Sequence, residues 1–208
     1  MSAYTNDVVT LCQAAGYDLI LVESVGLGQS EIEISHGVDM LILMVAPGGG
    51  DGLQGVKKGI IEVADMLVVN KADGSLLSAA RSTAADYKGA IHFWRSRVVE
   101  GWELPPVLLA SAHTGDGIGD VWNEICKFRC LVLKNGLLSS KRRQQGRYWM
   151  WKHLQDLINA KTKSNPALKE KVNEMNEALA DGLIAPRFAA RKLLDNLDID
   201  SSSSDDNF

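Results

Sequence analysis

The sequence predicts an α/β fold with a doubly wound, mostly parallel sheet and a helical C-terminal extension. Short runs rich in Val, Ile and Leu occupy residues 17–23, 38–46, 65–71 and 105–111. They are apolar at consecutive positions, as strands buried on both faces are. Segments with helical periodicity separate the runs, at 53–64 and 76–100, and this alternation indicates parallel strands joined by helices.

The remaining predicted elements are helices. Residues 5–15 precede the first predicted strand and residues 119–134 follow the last one. Strands cease after about residue 138, and helices are predicted at 140–161, 166–181 and 186–197, the second of them capped by Asn165 and Pro166. We therefore predict an α/β domain over residues 1–137, a helical extension over 138–198, and a disordered acidic tail rich in Ser and Asp over 199–208.

Composition narrows the classes of function. The chain has 208 residues and a formal net charge of −4, which argues against binding to nucleic acid or to an anionic membrane surface. The basic run Lys141, Arg142, Arg143 and Arg147 is interpreted as a solvated helix face. The longest apolar run, at 38–46, is too short to span a bilayer. Three cysteines without a zinc-site pattern favour a reducing, intracellular compartment.

The third predicted strand ends in Asn70-Lys71-Ala72-Asp73, the N-K-x-D pattern of guanine-nucleotide-binding proteins. A carboxylate at the Asp73 position accepts hydrogen bonds from N1–H and the exocyclic amine of guanine, a donor pair that adenine lacks. Asn70 can bridge the base and neighbouring loops, and the stem of Lys71 can lie along the base plane. The motif is short, but its position directly after a predicted buried strand strengthens the prediction that it binds a nucleotide base.

The fourth predicted strand ends in the loop "SAHTGDG", Ser111 to Gly117. A Ser-Ala pair at a strand end can place a backbone N–H on guanine O6; taken alone, an ordinary turn is the more frequent alternative. Because the carboxyl ends of parallel strands share one edge of a sheet, we expect this loop and the NKAD loop to face the same base.

The first predicted strand ends in Glu23, which Gly26, Gly28 and Gln29 follow. A carboxylate ending a central strand reaches the Mg²⁺ shell of nucleotide hydrolases, commonly through water. A following glycine lets the backbone approach the γ-phosphate, and a nearby Gln can orient water. We interpret these residues as a γ-phosphate sensor. The alternative is a buried acid followed by an ordinary turn.

A further glycine-rich segment, "GDGLQG" at 50–55, fits the dinucleotide-binding pattern G-x-G-x-x-G in outline. That pattern calls for an acid at the end of the next strand to bind ribose, and Asn70 stands there instead. A Rossmann dinucleotide-binding protein, through Gly50, Gly52 and Gly55, is therefore the remote alternative.

Together, ESVGLGQSE, GGDGLQGVKKGIIE, NKAD and SAHTGDG, with KRRQQGRYWMW at 141–151, resemble the MeaB/ArgK-type GTPases, formerly named lysine-arginine-ornithine transport ATPases. The resemblance covers roughly residues 5–197. It implies an incomplete P-loop NTPase fold whose first strands are missing, GTP or GDP with Mg²⁺ as ligands, and a homodimer. It further implies a cobalamin-dependent mutase of the methylmalonyl-CoA type as partner, in the mitochondrial matrix or the cytoplasm.

The resemblance also assigns residue roles. It implies that residues 23–29 form the second switch, with Glu23 near Mg²⁺ through water, and that residues 49–58 form a further switch facing the partner. Glu23, Gln29 and Lys57 would be the catalytic residues. The GTP-binding residues would be Gly26, Gly28, Asp51, Asn70, Lys71, Asp73, Ser111, Ala112 and His113. The chain departs from the family's usual pattern at Gly52, where Glu is usual, and at His113, where Arg is common.

One motif of the family is absent from the sequence: the phosphate-binding pattern G-x-x-x-x-G-K-[ST] occurs nowhere in the 208 residues. That pattern supplies a backbone N–H cradle, a lysine and a Mg²⁺ ligand. We therefore expect residues 1–137 to be a partial GTPase domain that, alone, binds GTP weakly and does not hydrolyse it. The alternative is a non-catalytic protein that keeps only dimerisation and partner-binding surfaces.

Overall fold

The structure, a computed structural model, describes residues 4–24, 30–48, 58–94, 101–102 and 104–196. The chain divides into two compact units, Met1–Tyr148 and Trp149–Phe208. The division falls within one long helix, Leu137–Ser164. The domain boundary expected at residues 137 and 138 stays a prediction, and the predicted tail at 199–208 lies outside the described residues.

The first unit contains a three-stranded parallel sheet in the order β1-β2-β3. Its strands are β1 (Ile42–Val45), β2 (Met66–Val69) and β3 (Val107–Leu109). Val69 pairs in register with Val45 on one side and with Leu109 on the other. β2 is buried along its whole length, as expected of a central strand that is apolar on both faces. The predicted α/β class with a parallel sheet is confirmed.

Helices make up most of the other regular structure. In chain order they are α1 (Thr5–Ala14), α2 (Ser30–Ser35), α3 (Lys58–Val63), α4 (Leu77–Trp94), α5 (Ile118–Lys134), α6 (Leu137–Ser164), α7 (Pro166–Ala180) and α8 (Pro186–Asp195). A short 3-10 turn, Gly74–Leu76, precedes α4. The turn and α2 have no counterpart among the predicted elements.

Helices cover both faces of β2, which is what makes the sheet doubly wound. On one face, buried α4 residues recur at helical spacing: Ala80, Ala84, Tyr87 and Ile91. They cluster with Leu67 and Val69, whereas Met66 and Val68 on the opposite face cluster with Val121 and Ile125 of α5. Tyr87 is 2% exposed, and this burial raises the pKa of its phenol above the ordinary value.

The prediction of a buried strand at 17–23 is wrong for this structure. Residues 17–24 have no regular secondary structure, and Leu19 and Leu21 are 51% and 82% exposed. A parallel strand is stabilised by hydrogen bonds to neighbouring strands and by helices over its faces. Among the described residues, no strand pairs with this segment, so its apolar sequence alone does not make it a strand. Glu23 is therefore an exposed residue of an irregular segment and does not end a central strand.

The second unit consists, in its described part, of the remainder of α6 with α7 and α8. The predicted cap of α7 is confirmed: Asn165 Oδ1 accepts from the N–H groups of Ala167 and Leu168, and Pro166 occupies the first turn. Gly182 follows the end of the helix at φ 68°. Leu168 of α7 and Ala189 of α8 are buried.

Candidate nucleotide-binding site

Two loops emerge side by side at the carboxyl edge of the sheet, one after β2 and one after β3. The ladder between these strands continues past their ends, because the N–H of Ala110 donates to the carbonyl of Val69 at 2.9 Å. The N–H of Ala72 then donates to the carbonyl of Ala110 at 3.0 Å. The structure thus brings together the NKAD loop and the SAHTGDG loop, as the shared edge of a parallel sheet requires.

Asp73 and Ser111 link the two loops through their side chains. Ser111 is fully buried, and its hydroxyl donates to Asp73 Oδ2. The same hydroxyl oxygen accepts from the N–H groups of His113 at 3.2 Å and Thr114 at 3.1 Å. Within the described part of the chain, Asp73 Oδ1 forms no hydrogen bond. The half-buried carboxylate of Asp73 is therefore fixed by one oxygen and keeps the other as an acceptor.

Asn70 forms a second link between the loops. Its side-chain oxygen accepts from the N–H of Lys71 at 2.8 Å and from the N–H of Ala112 at 3.1 Å. Lys71 has φ 59°, a left-handed conformation that costs about 1 kcal/mol or more for a residue with a side chain. The bond from its own N–H to Asn70 holds it in that conformation. Lys71 is exposed, as are Ala112 and His113.

The SAHTGDG loop is held by its own hydrogen bonds. The N–H of Ser111 donates to the carbonyl of Asp116 at 2.9 Å, and the N–H of Gly115 donates to the carbonyl of Ser111 at 2.9 Å. The hydroxyl of Thr114 donates to Asp116 Oδ2 at 2.7 Å. Gly117 closes the loop at φ 74°, where an added Cβ would lie 2.1 Å from the carbonyl oxygen of Leu109. Only glycine fits there.

Sequence reasoning did not assign roles to Thr114, Asp116 or Gly117 in this loop. The Gly-Asp-Gly pattern was the available signal, since it marks a tight turn. A further unpredicted contact lies after β1, where the N–H of Gly48 donates to Thr83 Oγ1 of α4 at 3.4 Å. That bond ties the start of the loop after β1 to the helix that covers the sheet.

The rest of the predicted site is not assembled in the described residues. Gly26, Gly28, Gln29, Asp51 and Lys57 lie outside them, as does the Gly50, Gly52 and Gly55 pattern. The part of the chain that is described holds no group of three or more His, Cys, Asp or Glu side chains that could bind a metal ion. Glu23 is a single exposed carboxylate.

A parallel sheet with amide and carboxylate loops at its carboxyl edge is the arrangement of nucleotide-binding α/β proteins. The family model described as "Methylmalonyl Co-A mutase-associated GTPase MeaB" matches residues 1–167. The chain belongs to this family.

Similar proteins include one from mouse and one from Caulobacter vibrioides. The chain is 40% identical over 190 residues to "Methylmalonic aciduria type A homolog, mitochondrial" of Mus musculus, covering 91% of this chain and 45% of the relative. It is 40% identical to a "Putative GTPase" of Caulobacter vibrioides, covering 91% and 57%. The chain thus spans about half the length of these curated relatives.

A solved structure, "Crystal structure of LAO/AO transport system kinase", matches with a TM-score of 0.70 and 31% sequence identity. The match covers 91% of this chain and 60% of that one. The predicted fold class, an incomplete α/β P-loop NTPase, is consistent with this similarity. Over the described residues, none of the helices combines the length and the apolar composition that a membrane span requires.

Proposed function

We propose that this chain recognises the guanine base of GTP and GDP with the loops after β2 and β3. The observation that carries the proposal is the Asp73 carboxylate, which Ser111 fixes through Oδ2 while Oδ1 stays an acceptor. Guanine offers N1–H and the exocyclic amine to such an acceptor. Adenine has an acceptor at N1, which would place lone pairs against lone pairs. Such a mismatch costs on the order of 1–3 kcal/mol.

The groups beside Asp73 are also suited to binding guanine. Asn70 and the exposed Lys71 precede Asp73 in the NKAD loop, and Ala112 of the SAHTGDG loop contacts Asn70. The N–H of Ala112 is the candidate donor to guanine O6. Because this N–H donates to Asn70 Oδ1 in the structure, base binding requires that it be shared with O6 or released by rotation of the Asn70 amide.

An NMR titration of the isotope-labelled chain with GDP and with ADP tests base recognition. We expect GDP to shift the amide signals of Ala112 and His113, and ADP to shift them much less. NMR is suited to the weak binding expected of a chain without the G-x-x-x-x-G-K-[ST] pattern. An equal response to both nucleotides, or no response at these amides at saturating GDP, would contradict the proposal.

GTP hydrolysis is proposed for the protein in which these loops act together with a phosphate-binding loop. The support is the family and the names of relatives, among them "GTPase ArgK" of Escherichia coli, which is 35% identical over 192 residues. Glu23, Gln29 and Lys57 stay the proposed catalytic residues, and Gly26, Gly28 and Asp51 stay among the proposed GTP-binding residues. For the chain alone we expect no measurable turnover, because phosphate contacts stabilise the charge that develops during the reaction.

Self-association into a homodimer is proposed for the helical extension. α6 exposes large apolar side chains in the second unit: Met150 is 54% exposed, Trp151 61% and Leu157 67%. Apolar surface of this kind, gathered on one helix, is typical of interaction surfaces. Light scattering should show a dimer for the chain and a shift towards monomer for Trp151→Ala. The matched control is Asp156→Asn, an exposed position that helical spacing places away from Trp151, and it should leave the dimer unchanged.

The proposed partner is a cobalamin-dependent mutase of the methylmalonyl-CoA type, with the mitochondrial matrix or the cytoplasm as the location. The family description names that mutase, and the mouse relative is named as mitochondrial. Co-sedimentation with the mutase of the same organism tests the partner. A chain that dimerises and binds the mutase but gives no guanine response would support the second candidate, a non-catalytic dimerisation and partner-binding protein.

A further inference from the structure

The outer edge of β1 carries backbone groups that no other strand uses. β1 pairs with β2 on one side, and within the described part of the chain no strand pairs with its other side. The carbonyls of Leu41 and Val45 face β2, because they accept N–H groups from the residues that flank β2, at 2.8 and 2.9 Å. Backbone groups alternate in direction along a strand, so the N–H and C=O groups of Ile42 and Met44 face away from β2.

The side chains of β1 do not protect this edge. Met44 is 61% exposed in the middle of the strand, and the sequence Ile-Leu-Met-Val contains neither a charge nor a proline. Charged side chains, prolines and bulges are the features by which proteins prevent an edge strand from pairing. An uncharged edge with available donors and acceptors is instead the kind of surface to which an extended segment adds as a further strand.

The start of the first unit also leaves apolar surface uncovered. α1 buries none of its residues, and the apolar side chains of Tyr4, Val8 and Leu11, at spacings of four and three, are 74%, 54% and 68% exposed. Leu19 and Leu21 of the irregular segment that follows are exposed as well. Exposed apolar surface of this extent is typical of a binding surface. It is a second, independent indication that the first unit contacts a further polypeptide.

The direction of β1 indicates which kind of segment fits its edge. β1 runs parallel to β2 and β3, so its carboxyl end lies at the edge of the sheet that carries the base loops. A strand added in parallel to β1 would end at that same edge, and the loop after it would face the nucleotide.

A loop that fits this place is one that binds phosphates. The pattern G-x-x-x-x-G-K-[ST] follows directly on a strand, and its N–H groups and lysine bind phosphates. The 208 residues of the chain contain no such pattern, and the chain covers only 45% and 57% of the mouse and Caulobacter vibrioides relatives.

We propose that the outer edge of β1 binds an apolar segment of a separate polypeptide as a parallel strand, and that this polypeptide carries a G-x-x-x-x-G-K-[ST] loop. The segment pairs with the backbone groups of Ile42 and Met44 and covers the Met44 side chain. Its loop supplies phosphate contacts beside Asp73 and Ala112. The part about phosphate rests on the proposed function, whereas the binding of the strand does not, so the two parts are tested separately.

Amide hydrogen exchange followed by NMR tests the binding of the strand. The probe is an unlabelled synthetic peptide of about 20 residues, with a short run of Val and Ile before a G-x-x-x-x-G-K-S sequence. Added to the labelled full chain, it should slow exchange at Ile42 and Met44 by about tenfold or more. Leu43, whose N–H faces β2, should change little. A peptide with the same residues in scrambled order is the control and should protect neither amide.

Substitution of Met44 tests whether the backbone of this edge makes the contact. Met44→Pro removes a donor that faces away from β2, so the pairing of β1 with β2 is retained and the stability of the chain alone should change little. Protection of Ile42 by the peptide should nevertheless need about tenfold more peptide or be lost. Met44→Ala keeps the N–H and should retain the protection. Absence of protection at about 1 mM peptide, or equal protection of Ile42 in Met44→Pro, would overturn the proposal.

A second copy of the chain is the other occupant that this edge could take. Pairing between two β1 edges would protect Ile42 and Met44 without any peptide, and the protection would decrease on dilution. That result would overturn the proposal.

The GDP titration on the same samples tests the part about phosphate. With the peptide present, the response at Ala112 and His113 should need about tenfold less GDP, and a peptide with Ala in place of the loop lysine should not have this effect. An unchanged GDP response beside a protected β1 would overturn this part alone. Absence of any GDP response in every sample would overturn base recognition, and the protection of Ile42 and Met44 would still decide whether β1 binds the strand.

Discussion

Replacing Gly117 with alanine should displace the loop that carries Ser111. The added Cβ would lie 2.1 Å from the carbonyl oxygen of Leu109, 3.1 Å from its carbonyl carbon and 3.2 Å from Ala110 Cα. These are backbone atoms at the end of β3, which cannot turn aside as a flexible side chain can. The loop must therefore shift away from the strand, and the bond from the N–H of Ser111 to Asp116 must lengthen or break.

Substitutions at two other glycines show how large the stability loss in Gly117→Ala should be. Gly115 also has a left-handed φ, at 84°, but an added Cβ would meet nothing within 4 Å, so Gly115→Ala isolates the backbone strain. That strain is about 1–2 kcal/mol. Gly117→Ala adds a steric overlap that costs typically about 1–3 kcal/mol more. Gly119, inside α5 with open space around it, should gain up to about 1 kcal/mol as alanine.

Urea unfolding followed by circular dichroism gives the free energies of unfolding for the three variants. We expect the order Gly119→Ala most stable, then Gly115→Ala, then Gly117→Ala, with the last about 2–5 kcal/mol below the original chain. Gly117→Ala should also shift the amide signals of Ala112 and His113. A Gly117→Ala variant as stable as Gly115→Ala would refute the reasoning, because the loop would then relax without cost.

Two further predictions concern stability. Because burial raises the pKa of Tyr87 in the folded state, the unfolded chain loses that proton first, and stability falls as pH rises above the ordinary value of 10.0. Tyr87→Phe should reduce this alkaline loss in unfolding measured between about pH 8 and about pH 11, and an unchanged loss would contradict the burial argument. Asn165→Ala should cost about 1 kcal/mol, because Ala167 and Leu168 lose their cap, whereas Asn165→Asp should retain most of it. If Asn165→Ala and Asn165→Asp lowered the stability measured by thermal unfolding equally, the cap would not act through the side-chain acceptor.

Local patterns in the sequence were sufficient to predict much of the fold. β2 is a short apolar run between helical segments, and α7 begins at an Asn-Pro pair, so each carries its own evidence. The segment 17–23 has the same apolar character as β2 but lacks neighbouring strands among the described residues. A strand depends on its neighbours, and sequence periodicity contains no information about them.

The site likewise contains residues that local motifs predict and contacts that no local motif predicts. Asn70, Asp73 and Ser111 were predicted from short motifs, and their meeting follows from the adjacency of β2 and β3. The contact of Lys141 with Asp39 joins residues 102 positions apart in the chain. No local pattern indicates such a contact, so a basic run on a helix was interpreted as a solvated face.

Base selectivity of Asp73→Asn is the most direct test of the central claim that Asp73 recognises guanine. The substitution replaces an acceptor with an amide that can donate, which matches the exocyclic oxygen of xanthine rather than the amine of guanine. In the NMR titration, the response at Ala112 and His113 should weaken for GDP by roughly tenfold or more, since an unpaired buried group costs about 1–3 kcal/mol, and should strengthen for xanthosine diphosphate. An Asp73→Asn chain with an undiminished response to GDP and none to xanthosine diphosphate would contradict the account.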